Sequence, residues 1–308
     1  METKNKKDRA VVFGATGNLS FAVANVLMGI KKHSPDIKAD FIVFHNDISE
    51  NDQNFLNSII PCKFIEYEMP INTNGVEQSS FPRYSKLAFS RYECFRMLDE
   101  YKQVLWMDVD ILIQKDISRI FEYAKTGISL YQEEAPLQEC FSSNNFGYDM
   151  NGNHYNSGVL LLRDNLSEYH KMADWLYSKT YELAQYLKYA DQGVINILLQ
   201  EFKLEVDNLP EKYNCHPLKK EIKNACTVHP YSPQKFWSWF NKKYHFKEWD
   251  QNNKKWLKMG GTPYKGLKYD FWEKITKNID YDCPHPIRQP GKLFKFVIKK
   301  IKKGQNHV

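Results

Sequence analysis

The N-terminal third of the chain alternates short apolar runs with turn and helix signals, and this alternation constrains the fold more than any other feature. Residues 10–13 (AVVF) read as a buried strand, GATGN as a turn and Leu19–Ile30 as a helix. A second strand follows at 40–45 (DFIVFH) and a third at 62–68 (CKFIEYE). Parallel neighbours need a crossover connection, and a helix is the usual one, so the rhythm predicts an α/β fold with a parallel, doubly wound sheet. Further along, residues 84–100 read as an amphipathic helix and 102–113 as an apolar strand interrupted by two aspartates. Residues 116–124 read as a short helix, 127–131 and 156–162 as strands, 167–188 and 192–199 as helices, and 227–229 as the end of a strand. No internal repeat is visible. After about residue 236 the texture changes to Trp, Tyr and Lys with broken periodicity, which divides the chain into 1–236 and an aromatic, basic extension, 237–308.

Bulk properties exclude several classes. A chain of 308 residues that is 42% hydrophobic can bury a sizeable core. The net charge of +6 is matched by six lysines in residues 292–308, where there is no acidic residue. The remainder is neutral, so no basic nucleic-acid face is expected. The six cysteines are scattered without a CxxC pair, which argues against a zinc site or a disulfide framework and fits a reducing cytosol. No signal-peptide h-region or spanning apolar run is present, so a soluble or peripheral protein is expected.

Four stretches carry chemistry. In VLWMDVDILI, residues 104–113, Asp108 and Asp110 interrupt an apolar strand. Buried charge is costly unless paired or bound to metal. Residues i and i+2 of a strand share a face, so this D-x-D aims two hard oxygen ligands at one point, suited to Mn²⁺ or Mg²⁺. In VHPYSPQKFW, residues 228–237, His229 offers a third ligand and Lys235 a charge for diphosphate oxygens. In HYNSGVLLL, Asn156-Ser157-Gly158 opens a buried strand, and the glycine permits close approach. In ADQGVINIL, Asp191 and Gln192 open a helix. Each stretch has a structural alternative: a capping or salt-bridged aspartate, a core histidine, an ordinary turn, an N-cap.

Taken together and in this order, the four resemble glycosyltransferase family 8, which includes bacterial lipopolysaccharide galactosyl- and glucosyltransferases and glycogenin. The resemblance runs from about residue 10 to about 240, with a weaker echo at Gly261-Thr262-Pro263-Tyr264. It implies a glycosyltransferase-A type nucleotide-binding fold with a mostly parallel mixed sheet and a small C-terminal helical extension. It also implies a retaining transfer of a hexose, glucose or galactose, from a UDP-sugar to a cell-surface glycan or glycolipid. By the family pattern Asp108, Asp110 and His229 hold the metal, with Val109 between them at the donor. Lys235 contacts the diphosphate and Lys86 lies near the donor. Asn156, Ser157, Asp191 and Gln192 surround the hexose, and Thr16 and Asn18 line the first nucleotide loop. The resemblance further implies that attack comes from the front face, or through a covalent intermediate on Asp191 or Gln192. The chain departs from the pattern in that loop: Thr16 stands where an acid is usual and Leu19 where a stacking Tyr is usual.

Other readings stay open here. Gly14-Ala15-Thr16-Gly17-Asn18-Leu19 after a strand also suits an NAD(P)-dependent reductase, although no acid closes the second strand, where Phe44-His45 stands before Asp47. A catalytically silent nucleotide-sugar-binding protein is the other alternative. The segment 132–154 reads as a specificity loop. Residues 291–303 read as a basic amphipathic helix for peripheral contact with anionic membrane, at the inner face of a cytoplasmic membrane. Trp237, Trp239, Trp249, Trp256 and Trp272 either stack on acceptor sugars or pack the extension.

Overall fold

The computed structural model describes residues 5–71, 86–143, 145–232, 234–237 and 244–265. Its seven-stranded sheet has the order β3-β2-β1-β4-β7-β6-β8. The strands are β1 (Lys7–Thr16), β2 (Asp40–Asn46), β3 (Cys62–Glu66), β4 (Tyr101–Met107), β6 (Ile128–Pro136), β7 (Asn153–Arg163) and β8 (Asp207–Asn208). A separate pair joins β5 (Leu112–Ile113) to β9 (Thr227–Val228). The strands β3, β2, β1 and β4 run parallel, whereas β7 is antiparallel to both β4 and β6. The sheet is therefore mixed and mostly parallel.

The pleat explains why AVVF is apolar throughout. Val11 and Phe13 point into one buried cluster with Leu105 and Met107. Ala10 and Val12 point into the other with Val104 and Trp106. Both faces are covered, so alternation gives way to a continuous apolar run. The first face carries α1 (Ser20–His33), α2 (Glu50–Ile59) and α6 (Lys247–Lys258). The second carries α3 (Glu93–Arg96), α4 (Tyr169–Leu183) and α5 (Asp191–Glu201).

Two expected elements differ. Residues 86–99 are not one helix but a 3₁₀ stretch (Lys86–Tyr92), the single turn α3 and a further 3₁₀ turn (Met97–Asp99). Packing requires this: a Cβ on Gly14 would lie 2.7 Å from Ser90 Oγ and 3.0 Å from the Leu87 carbonyl, so backbone and side chains here press against β1. The apolar run 102–113 is likewise two strands, because the chain turns at Asp108–Asp110 so that β5 can pair with β9. Of segment 132–154, residues up to Pro136 belong to β6, and the other described residues are irregular apart from the turn Leu137–Cys140 and the start of β7.

Beyond residue 236, Trp249 and Trp256 of α6 are buried in the α1 face of the core, and Trp237 packs against Phe21 at 5.2 Å between ring centroids. Trp239, Trp272 and the basic segment 291–303 lie outside the described residues. Helix α6 is tied to α1 by Glu248, whose Oε1 lies 2.8 Å from both Lys32 Nζ and His33 Nε2. Partial burial raises this carboxyl, but Lys32 and His33 outweigh it and hold it below its ordinary 4.5. The depressed value means the pair stabilises the fold above the unfolded pKa and ceases to do so as pH falls through the folded one. Glu248→Gln should therefore cost about 1 kcal/mol or less near neutrality, a Tm loss of about 2 °C. The difference should shrink as pH falls through the folded value, which thermal melting over an acid series checks.

Candidate active site

The strand order reverses around β1: β2 and β3 lie to one side, β4 to the other. In open α/β sheets the crevice beyond the carboxyl ends of the strands at such a switch point receives the ligand. Here β1 ends at Thr16 and β4 at Met107, so the crevice opens beside residues 16–18 and 108–110. The Asp108 N–H donates to the Gly158 carbonyl, at 2.8 Å, which holds the D-x-D turn against β7.

Three side chains converge at the turn. One ligand atom each of Asp108, Asp110 and His229 lies within 4.8 Å of the others. His229 Nε2 is 3.3 Å from Asp110 Oδ1 and 3.7 Å from Asp108 Oδ2. The pleat does not produce this convergence, contrary to the i, i+2 expectation. It comes from the turn that ends β4, while β9, pairing with β5, delivers His229 from more than a hundred residues away. Two carboxylates and one imidazole make a hard, mixed O/N donor set that can hold a divalent cation. Burial disfavours ionisation of Asp110, yet Lys235 and His229 beside it hold its carboxyl well below the ordinary range. Lys235 Nζ donates to Asp110 Oδ2 and to the Pro230 carbonyl.

Gly158 makes room for this cluster. A Cβ there would lie 2.1 Å from His229 Cε1 and 3.0 Å from Asp108 Oδ2, and the nearer distance is impossible without displacing the imidazole. If the cluster holds a divalent cation, Gly158→Ala should weaken its binding in a calorimetric titration by about 10-fold or more, the scale expected when metal ligands lose their support.

The sequence reading missed Arg91. Its guanidinium is buried; Nε donates to the Ala88 carbonyl at 3.0 Å in its own turn, and beyond that turn the group bridges three partners: Nη2 donates to Asp108 Oδ1 at 3.0 Å, Nη1 donates to the Ser157 carbonyl, and Nε lies 3.0 Å from Asp191 Oδ2. The last contact is ionic only, because no donor is aligned on Asp191 Oδ2. Arg91 also lies over the Trp106 ring at 5.0 Å, and the Trp106 indole N–H donates to Asp108. Burial above all, with Asp108 beside it, raises the Asp191 carboxyl to about 6 against the opposing pull of Arg91. Lys86 opens the same 3₁₀ stretch and is exposed; within that stretch Arg91, five residues on, is the cation paired with Asp108 and Asp191. A lone arginine in an apparently amphipathic segment gives no signal of burial.

The other expected residues divide into two groups. Asp191 and Gln192 do open a helix beside the site, and the Gln192 carbonyl oxygen accepts the Ser157 N–H at 3.3 Å. Val109, Asn156 and Ser157 are buried; the first follows Asp108 and the other two precede Gly158 in the chain. Asn156 does not point freely at the crevice: its amide bonds Glu133, Asn214 and the Gly158 N–H. Glu133 also lies 3.5 Å from Gln192 Nε2 and 3.6 Å from His154 Nε2. Burial would raise the Glu133 carboxyl, but hydrogen bonds from His154 and Asn156 lower it. At the nucleotide end, Thr16 terminates β1 and Asn18 Oδ1 accepts the Lys265 N–H. Gly17 N–H donates at 2.8 Å to Asp47, which follows β2. That bond occupies a backbone donor that a dinucleotide loop would offer to pyrophosphate, so the reductase reading loses its motif.

The comparisons with known proteins agree with this geometry. The sequence profile of glycosyl transferase family 8 matches residues 10–255. A lipopolysaccharide 1,2-glucosyltransferase of Escherichia coli K12 is 27% identical over 145 residues, 46% of this chain and 42% of that protein. A probable glycosyl transferase, Gly, of Streptococcus gordonii is 27% identical over 231 residues, 74% of this chain and 30% of its own length. The chain thus spans less than half of either relative. Among solved structures, galactosyltransferase LgtC in complex with donor and acceptor sugar analogues superposes with a TM-score of 0.62 at 15% identity. That match covers 81% of this chain and 99% of LgtC, and it shows the shared glycosyltransferase-A fold. With the profile covering most of the described residues and the D-x-D turn, His229 and α5 set around one crevice, the chain belongs to glycosyl transferase family 8.

Proposed function

We propose that this protein is a retaining hexosyltransferase that moves glucose or galactose from a UDP-sugar to a cell-surface glycan or glycolipid, with Mn²⁺ or Mg²⁺ as its metal. The observation that carries this reading is the convergence of Asp108, Asp110 and His229 at the switch point, with Lys235 on Asp110. The imidazole favours Mn²⁺ over Mg²⁺, which prefers oxygen donors and keeps several waters.

A bound divalent ion supplies charge against the departing diphosphate. The residues of the chain do the rest. Lys235, beside Asp110, adds a second positive charge at the leaving group. Asp191 presents a buried carboxylate to the sugar side, where an oxocarbenium-like centre develops positive charge. Gln192 is a poor nucleophile, and its carbonyl oxygen is already engaged by the Ser157 N–H. Asp191 is held against Arg91. Both facts favour front-face attack by the acceptor hydroxyl, whose proton passes to a phosphate oxygen. In the first loop Thr16 and Asn18 line the nucleotide end, and Asp47, on Gly17 N–H, brings a carboxylate there from β2.

Among the described residues no helix is long and apolar enough to cross a membrane. Peripheral contact through the lysines of 292–308 is proposed from their sequence, since a lipid-linked acceptor would place the enzyme at an anionic surface. The functional test is release of UDP with Mn²⁺ from UDP-Glc, UDP-Gal, UDP-GlcNAc and UDP-GalNAc in turn. Release from one hexose donor, abolished by EDTA, is the expected result. Failure to bind UDP in the presence of Mn²⁺ overturns the donor assignment.

A further inference from the structure

Behind the metal cluster runs a relay of buried amides whose directions are all forced. The Gly158 N–H can only donate, and it donates to Asn156 at 3.0 Å, so the Asn156 atom facing it is Oδ1. The Asn156 Nδ2 then faces Glu133 Oε1 at 2.7 Å, where a carboxylate can only accept. The two ends agree on the orientation of Asn156. Its Oδ1 takes a second hydrogen bond, 2.9 Å, from Asn214, which must therefore present Nδ2. Asn214 turns its Oδ1 to His229 Nδ1 at 2.7 Å, and an amide oxygen there requires a proton on Nδ1. Asn214 is fully buried, and His229 and Asn156 are each 2% exposed, so water does not compete for these positions. The backbone keeps the partners in register: the His229 N–H donates to the Cys215 carbonyl at 2.9 Å, next to Asn214 in the chain.

We infer that Asn214 is the positioning residue of the metal centre: it holds His229 in the Nδ1–H tautomer and leaves Nε2 bare toward Asp108 and Asp110. The opposite tautomer would aim an N–H at the two carboxylates and close the third ligand position. The inference rests on the reading of these three residues as a metal site. It adds that the readiness of the site is set by Asn214 and, through Asn156, by Gly158 and Glu133, none of which is in the D-x-D or H-x5-K pattern.

The test combines two readouts. In protein labelled with ¹⁵N-histidine, long-range ¹H–¹⁵N correlation spectra report the His229 tautomer without metal or donor. Mn²⁺ titration followed by electron paramagnetic resonance, with UDP present, reports metal affinity. Wild type should show Nδ1–H. Asn214→Leu, close in volume but without hydrogen-bonding groups, should lose that tautomer and bind Mn²⁺ about 10- to 100-fold more weakly. Asn214→Asp keeps an acceptor for Nδ1–H and should retain the tautomer, but it gives up the donor to Asn156 Oδ1, so it should bind Mn²⁺ more tightly than the Leu variant and less tightly than wild type. A wild-type His229 that carries its proton on Nε2 overturns the inference without recourse to any variant, so a variant that fails to fold does not protect it. Equal losses of affinity in Leu and Asp variants with the tautomer unchanged would mean a packing role only, and would also overturn it. Wild type that shows Nδ1–H yet binds no Mn²⁺ overturns the metal reading, and the role assigned to Asn214 with it.

Discussion

Asp110→Asn should abolish metal-dependent UDP release while leaving the fold intact. Asn is nearly isosteric with Asp and Asp110 is 8% exposed, so packing around the D-x-D turn is unchanged. The variant loses the full anionic charge of one of the two carboxylates facing His229 that could hold the ion. Metal charge against a departing diphosphate is worth several kcal/mol, and each ~1.4 kcal/mol is a factor of ten, so kcat/KM should fall by about 10³-fold. Lys235 also loses its ion-pair partner, but its side chain is 28% exposed and water can take up the ammonium. The checks are initial rates of nucleotide release, Mn²⁺ titration and a thermal melt. Turnover within tenfold of wild type and insensitive to EDTA would show that catalysis does not depend on this site.

The second large effect is expected on stability. Arg91→Met removes the cation that joins Asp108, Asp191 and the Ser157 carbonyl. Asp191 is 3% exposed and Arg91 5%, so the variant leaves a buried carboxylate with no counter-charge. Removing one partner of a buried pair typically costs about 3–5 kcal/mol, or roughly 10 °C in Tm. Some of that loss should return in the double variant Arg91→Met/Asp191→Asn, since the second change removes the stranded charge. Arg91→Lys should fall between, because one ammonium cannot span three acceptors in the fixed geometry of a guanidinium. Urea unfolding of wild type, these three variants and Asp191→Asn alone checks the pattern. If the double variant shows the summed losses of its two single changes, Arg91 and Asp191 do not interact and the ion pair is not what stabilises this corner.

Local chemistry accounts for what was legible in the chain. The runs AVVF and DFIVFH announce strands because burial on both faces demands continuous apolar residues, whereas CKFIEYE lies at the sheet edge and is mostly half-buried or exposed; the helical pattern between the first two goes with their parallel pairing. The D-x-D and H-x5-K stretches stand out because charged groups inside apolar runs need a reason. By contrast, Arg91, Asn214 and Glu133 are ordinary in their own segments, and their roles arise from partners 17, 15 and 23 residues away or more. The split of the apolar run at Asp108 and the short turns over 86–99 also escape local reading, since β5 breaks away to pair with β9 and Gly14 lets Ser90 and Leu87 close on β1. Periodicity records which side of an element is dry. Which polar group meets which across the crevice depends on long-range register, and no local pattern of residues encodes that.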